Sequence, residues 1–397
     1  MIQSILEAMS QDPYLDTQAA TARLGISRAS LYAYVSRGLI EARPDGQDPR
    51  RSLYRAADIE RLAKTKARGR KSDEIAGATL DWGPPVLASG ITLIANDRLY
   101  YRGQDAARLA RTASLEEVAR LLWQCGEDDP FATPEPVDMA PVASARAIDR
   151  CLQLLAGRGV NTRMIWQRDV RRLWPEAATL LRLVAAGVAG TAPGPEPIHQ
   201  QMARAWKVPA DKADILRAAM VLLADHESNA SAFTVRVIAS TGASLAACLL
   251  GGLGALSGPL HGGTTSLVEI LFDEVARAGD ASAVIEERLR RGDRLPGFGH
   301  QLYPGGDPRA EALMALLPAD PVRDALLSAM SAIGERQPNI DFALVAACRL
   351  LHLPPGSALG LFAVGRTIGW IAHALEQQQT GSLIRPRTRY VGAEPED

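Results

Sequence analysis

From Ala106 onwards the apolar residues of this chain recur at helical spacing almost without interruption, and that periodicity limits what the chain can fold into. ASLEEVARLLWQ, DKADILRAAMVLLADH and SALGLFAVGRTIGWIAHALEQ each read as a helix, separated by Pro- and Gly-rich joints such as GTAPGPEPI. No long series of strands appears, which points to a mainly α body. A length of 397 residues suggests two or three domains, and a hydrophobic share of 47% is enough for a sizeable core. One exception precedes the helices: LASGITLIANDRLYYRG alternates apolar and polar residues around Asn96-Asp97, a hairpin signal.

The longest apolar run, Leu245 to Leu260, is shorter than a membrane span and is broken by Gly, Ser and Pro. It reads as a buried helix, and no membrane association is expected. The cluster GGLGALSG within it lacks both the preceding strand and the spacing of a dinucleotide loop. The N-terminal MIQSILEAMSQDPYLD has neither a basic start nor an apolar core, so a cytoplasmic location is expected. Cys125, Cys151, Cys248 and Cys348 are far apart and lack metal-ligand spacing. They read as reduced structural thiols, with no metal site and no bound cofactor.

A net charge of −1 conceals an asymmetry. Residues 1–72 carry 13 Lys and Arg against 8 Asp and Glu, a net of +5, while the remainder carries 31 against 37, a net of −6. A small basic head therefore precedes a larger acidic body. In the head, Asp16 can cap TQAATARL, Gly25 breaks it, and Ser27 can cap RASLYAYVSR, which Gly38 ends. LIEARPDGQDPRRSLY follows as a hairpin with turn residues Pro44-Asp45-Gly46, and AADIERLAKTKARGRK as a last helix running into a basic linker. The head resembles the winged helix-turn-helix domains of the MerR and excisionase-like families. That resemblance implies contacts to DNA through Arg28 and Ser30 at base edges, and through Arg50 and Arg51 at phosphates. The same fold docking on its own body, or serving assembly, is equally consistent with the residues.

In the body, six histidines in all narrow the search for chemistry. His226 continues the helical stripe Ile215, Ala219, Leu222 and opens an unusually polar exit, Glu227, Ser228, Asn229, Ser231. His261 sits in GPLHGGTTSLVEI, where Ser266 and Glu269 look like a capping box for the next helix. An imidazole just before a helix N-terminus is disfavoured as imidazolium, so it can donate to an oxyanion as a neutral ring, although a loop histidine that bonds a carbonyl fits the same residues. His300 lies in LPGFGHQLYPGGDPRA, where Asp307 and Pro308 fit an N-cap and first helical position and Arg309 follows. An anion at that helix end, a salt bridge to Glu311, or solvent would each account for Arg309. Asp341, in QPNIDFALVAACRLL, is by position either an N-cap or a functional carboxylate. Arg366 falls on the otherwise apolar stripe Leu359, Ala363, Arg366, Trp370, Ala374 with no acid at i±3 or i±4. A guanidinium there needs a distant carboxylate or a ligand anion.

The order of these segments carries more than any one of them. DHESNASAFTVRV, GPLHGGTTS, GFGHQLYPGGDPRA, PNIDF, GRTIGWIAHALEQ and RPRTRYVG, with the opening LYYRGQDAARLA, together resemble citrate synthase over roughly residues 80–393. The resemblance implies a two-domain, mostly helical homodimer with its active site in the cleft. It implies residues 73–262 and 357–397 as the large domain, 263–356 as the small one, and 1–72 as the head. Asp341 would remove the methyl proton of acetyl-CoA, His261 would donate to the enol or enolate oxygen, and His300 would polarise the oxaloacetate carbonyl. His226, Arg309 and Arg366 would hold oxaloacetate, with Arg385 reaching the partner subunit's site. Leu295, Gly297, Phe298 and Gly299 would line the CoA path. The sequence departs from the family where a cation is common: Pro304 and Gln301 are uncharged, which leaves Arg336 or another basic residue to meet the CoA phosphates. Propionyl-CoA as the acyl donor, or a metabolite-sensing regulator built on a synthase body, are the alternatives.

Overall fold

The computed structural model describes residues 14–36, 38–46, 48, 50–63, 87–132, 144, 146–158, 169–334, 337–388 and 390–393. They form two compact units, Met1–Ala88 and Ser89–Asp397. The expected boundary at residue 72 and the basic linker lie outside the described residues, as does Arg336.

In the first unit, Asp16 accepts from the Ala19 amide at 2.7 Å and opens the helix Thr17–Leu24, which Gly25 closes. Ser27 Oγ accepts from the Ser30 amide at 3.2 Å ahead of the helix Arg28–Ser36. Three short antiparallel strands follow the order Tyr14–Leu15, Ser52–Arg55, Ala42–Pro44. Pro44 lies inside the ladder opposite Ser52, on an edge strand where its missing N–H costs nothing. The connection is therefore a longer loop than the expected turn at Pro44-Asp45-Gly46, and it is closed by Asp45 N donating to Arg51 O at 2.9 Å. A helix begins at 56 and is described through 63. Ala20, Leu24, Leu31, Ile40, Tyr54 and Ile59 give this unit a small core of its own.

The second unit opens with the expected hairpin. Thr92–Ala95 pairs with Arg98–Tyr101 across Asn96 and Asp97, both at positive φ, as a two-residue type I′ turn requires. Helices then follow one another from Ala106–Thr112 to Ser357–Thr380. Ser114 and Glu117 form a reciprocal capping box on Leu115–Trp123. Leu245–Leu256 is a helix with one face buried, and all four cysteines are free and buried. Ser357–Thr380 is long and apolar enough to cross a membrane by length and composition, yet 94% of its apolar window is buried inside the protein. It is the core helix.

Two contacts fix the frame around the future site. First, a Cβ on Gly369 would stand 2.3 Å from Asp225 Oδ1 and 2.4 Å from Ala224 O, and one on Gly365 would stand 2.6 Å from Met220 O. Only glycine lets the core helix approach residues 220–225 so closely. Second, Asp307 ties three segments together. Its Oδ1 caps Pro308–Met314 through the Arg309 amide (3.0 Å), its Oδ2 accepts from Ile340 N (2.9 Å), and both oxygens take the Arg309 side chain at 2.9 and 2.8 Å.

Three local expectations are corrected. The helix Ala213–Leu222 ends four residues before His226, so His226 is not on its stripe but on the irregular segment beyond it. Ser266 and Glu269 do not form a capping box. The turn at 258–263 winds directly into Thr264–Ala278, whose N-cap Gly263 has no side chain to offer, and Glu269 meets the backbone of Gly356 instead. Arg309 pairs with Asp307 rather than Glu311.

Gly369→Ala should destabilise the body by about 1–3 kcal/mol through overpacking against Ala224 and Asp225, read as a lower denaturation midpoint at unchanged m. Asp307→Asn strands the buried Arg309 cation and should cost about 3–5 kcal/mol in the same measurement.

Candidate active site

His226, His300 and Tyr303 form one cluster. The His226 and His300 rings meet edge-on with centroids 5.0 Å apart, and His226 Nε2 lies 3.0 Å from the Tyr303 hydroxyl. The following residue, Glu227, has φ +54, a left-handed conformation that is strained for a side chain with a Cβ. Asn229 then caps Ala230–Ala239, accepting from Ala232 N, and turns the chain back towards the site.

His300 Nδ1 accepts from the Leu302 amide at 3.1 Å. A neutral imidazole has one proton, so it lies on Nε2, which makes that nitrogen a donor. Burial, then the Arg309 charge, pushes His300 down to about 4, so the ring is neutral at ordinary pH. Burial likewise lowers His261 to about 4, with Arg366 adding to it. For His226, burial and the Arg309 and Arg366 cations act together and hold it well below the usual histidine range.

His261 is held by a path that starts on the core helix. Trp370 Nε1 donates to Ser231 Oγ at 3.1 Å, and Ser231 Oγ lies 2.9 Å from His261 Nε2 and 2.8 Å from Asn229 Oδ1. Ser231 has one hydroxyl proton and two neighbours able to accept it. In the structure that proton goes to Asn229 Oδ1; turned towards His261 Nε2 instead, it leaves the imidazole proton on Nδ1, where a ligand can receive it.

Asp341 sits at the second position of the helix Ile340–Leu350 and does not cap it. Asn339 does, accepting from the amides of Asp341 (3.0 Å) and Phe342 (3.4 Å), so the Asp341 carboxylate is released for other work. Burial pushes its carboxyl up to about 6 against the opposing pull of Arg309 and Arg366. The loop carrying His300 is laced to this helix start. Gly299 N donates to Gln337 O at 2.7 Å, Asn339 N to Gly297 O at 2.9 Å, and Asn339 Nδ2 to Gly299 O at 3.1 Å. Gly297 has φ +89, and a Cβ there would press on Phe342 and Val268 at 3.1 Å, so glycine is required. Phe298 packs on Phe342 with centroids 5.0 Å apart and the rings tilted by 53°, and Leu295 is half-buried nearby in sequence. The backbone of Gly297 and Gly299 thus ties the loop that leads to His300 to the start of the helix that carries Asp341.

The two arginines differ. Arg309 is buried in its Asp307 pair and lies over the Tyr303 ring at 5.3 Å. Arg366 is only 1% exposed, donates from Nε to Leu223 O at 3.0 Å, and has no carboxylate within ion-pair distance among the described residues. Burial draws its guanidinium down to about 10, which still leaves it charged at neutral pH.

His226, His261, His300, Asp341, Arg309 and Arg366 therefore act on one another electrostatically. Arg385 does not join them: it is exposed on the irregular segment after the core helix. In the head, Arg28 and Arg50 are exposed, Ser30 Oγ bonds Ser27 Oγ at 3.0 Å, and Arg51 pairs with Asp48 at 3.4 Å. Sequence reasoning had no role for Tyr303 or Trp370. Tyr303, an aromatic inside a glycine-rich polar loop, was a readable signal, whereas the Trp370 link to Ser231 crosses 139 residues and was not.

Comparison with known proteins gives the family and the fold. The family described as citrate synthase, C-terminal domain, matches residues 136–387. The putative citrate synthase 2 of Mycobacterium bovis is 45% identical over 187 residues, 44% of this chain, and there the chain spans about half (50%) of the relative's length. The citrate synthase of Mycolicibacterium smegmatis is 32% identical over 343 residues, 74% of this chain and 89% of that protein. Other relatives are named 2-methylcitrate synthase. The crystal structure of citrate synthase from Thermotoga maritima superimposes with a TM-score of 0.65 at 26% identity, covering 79% of this chain and 96% of that one. With a family match over more than half its length and a full-length relative at this identity, the chain belongs to the citrate synthase family.

Proposed function

We propose that the chain condenses acetyl-CoA with oxaloacetate and hydrolyses the citryl thioester, releasing citrate and CoA. One observation carries this reading. Neutral imidazoles from three segments share a site with a carboxylate pushed up to about 6 and a buried Arg366 that has no carboxylate within ion-pair distance among the described residues.

A thioester α-proton is too weakly acidic for a carboxylate base alone, so base and oxyanion donor must act together. Asp341 takes the methyl proton, and the electron pair of that C–H bond moves onto the thioester oxygen, where His261 donates a hydrogen bond. The resulting carbon nucleophile adds to the keto carbonyl of oxaloacetate, which His300 polarises through Nε2–H. Water then cleaves the citryl thioester to citrate and CoA. His226, Arg366 and the Nη1 side of Arg309 hold the diacid, since forked guanidinium groups suit carboxylates. CoA follows Leu295 and Phe298, with the backbone of Gly297 and Gly299 shaping the path.

The reading includes residues 263–356 as a small domain closing a cleft against the rest of the body. It also includes a cytoplasmic homodimer, in which the exposed Arg385 reaches the partner subunit's site; four buried free thiols suit a reducing compartment. Propionyl-CoA is the second donor to test, because relatives carry both names and one methylene is worth only about 1–3 kcal/mol of discrimination. For the head, a winged helix-turn-helix role in DNA contact draws on its net charge of +5 and the exposed Arg28 and Arg50. A purified chain without turnover that binds duplex DNA with a steep salt dependence would replace the enzyme reading with a regulator.

Thiol release with oxaloacetate and each acyl-CoA tests the reaction directly. Release with acetyl-CoA is expected, and a clear preference for propionyl-CoA would reassign the donor. Asp341→Asn should lower turnover about 10²- to 10⁴-fold while oxaloacetate binding stays near wild type. In the wild type, kcat/KM should rise with pH through about 6 as Asp341 loses its proton. His261 and His300, held to about 4, are already neutral there and add no limb of their own.

A further inference from the structure

Behind the diacid pocket runs a line of buried polar side chains that the reaction itself does not use. Arg236, 1% exposed, donates from Nε to His373 Nδ1 at 2.8 Å. It is itself anchored by Glu376, by Ser89 Oγ at 3.0 Å and by Gln377 Oε1 at 3.3 Å. Because Nδ1 accepts from this cation, the imidazole proton of His373 lies on Nε2, which faces Asp225 Oδ1 at 3.1 Å. The other carboxylate oxygen, Oδ2, takes the Thr92 hydroxyl at 2.6 Å. Asp225 is fully buried, immediately precedes His226, and follows by two residues the carbonyl of Leu223 that holds Arg366.

This arrangement answers a conflict. A buried guanidinium needs a negative charge near it, yet a direct ion pair would occupy the face that a substrate carboxylate must take. Asp225 supplies the charge, and its effect on Arg366 is felt by both groups. Its two oxygens, however, are each tied to another donor, so the charge stays close without closing on the guanidinium. Resting on the reading of His226, Arg309 and Arg366 as a diacid pocket, we propose that Asp225 and His373 are positioning residues that keep Arg366 compensated but open to a substrate carboxylate. The Thr92 and Ser89 contacts make the opening hairpin part of the same device.

The test is oxaloacetate binding by calorimetry on the full-length chain, with thermal unfolding as the check on folding. His373→Leu frees Asp225 Oδ1 to swing onto Arg366 and should weaken oxaloacetate binding by about tenfold or more. In the same variant the KM for oxaloacetate should rise while the KM for acyl-CoA does not. A glutamine amide carries an acceptor and a donor spaced much as the two imidazole nitrogens are, so His373→Gln should stay within about threefold of wild type. Combining His373→Leu with Asp225→Asn removes the competing charge and should restore most of the lost affinity. A double variant no tighter than His373→Leu alone, or a His373→Leu that binds normally, overturns the positioning role and leaves the reaction assignment standing on wild-type thiol release. Wild-type binding without thiol release removes the reaction but keeps the positioning role in play, because rescue is read in binding. A wild type that binds no oxaloacetate overturns both.

Discussion

The core helix Ser357–Thr380 lies so close to residues 220–225 that two of its positions, Gly365 and Gly369, have no room for a side chain. Gly369 N donates to Ala224 O at 2.9 Å across that contact. The side chains on the neighbouring turns are thereby forced into the segment that leads to His226. Arg366 reaches Leu223 O, Trp370 reaches Ser231 and through it His261, and His373 reaches Asp225. One close helix contact thus sets a cation, an orienting donor and a buried relay, and each acts on a different part of the site.

The second half of the site is built by a different device. Asp307 and Asn339 do no chemistry in the proposed reaction, but each satisfies backbone amides at one helix start while gripping a second segment. Asp307 joins Pro308–Met314 to Ile340–Leu350 and holds Arg309, and Asn339 joins Ile340–Leu350 to the loop before His300. Helix caps are usually local, worth about 1 kcal/mol each. Here they also set the register between loops, so the orientation of His300 relative to Asp341 follows from capping geometry.

Much of this was legible in the sequence, for physical reasons. The hairpin turn at Asn96-Asp97, the caps at Asp16, Ser27 and Asp307, and a helix begun at Leu245, which ends at Leu256 rather than running to the exposed Leu260, follow from local propensity and periodicity. Arg366 was legible because a lone charge on an apolar stripe demands an explanation. What failed were inferences that extended a pattern by one turn too many. His226 fits the spacing of Ala213–Leu222, but the chain leaves the helix before it, with Glu227 forced to positive φ. Ser266 and Glu269 fit a capping box, but a glycine-rich turn had already started the helix. The link from Asp307 to Ile340 and the Ser231 path to His261 depend on tertiary proximity, which spacing along the sequence does not encode. The head is the reverse case: its caps and strands read out locally, while its partner does not.

The electrostatics of the site follow from keeping unlike tasks apart. Three histidines sit near two guanidinium groups, and both burial and those cations push the imidazoles towards the neutral form. In the proposed reaction, a neutral ring donates a hydrogen bond without placing a full positive charge beside a cationic pocket that would admit a dianion and then release its product. The carboxylate Asp341 is raised by the same burial, and the arginines oppose that rise. Its basicity is thus higher than an exposed aspartate's, while it remains mostly ionised at neutral pH. Stronger burial would protonate it, and a direct ion pair would weaken it as a base. The separation of Asp307, which pairs with Arg309, from Asp341, which does not, leaves one carboxylate neutralising a cation and the other free for the role of base in the proposed reaction.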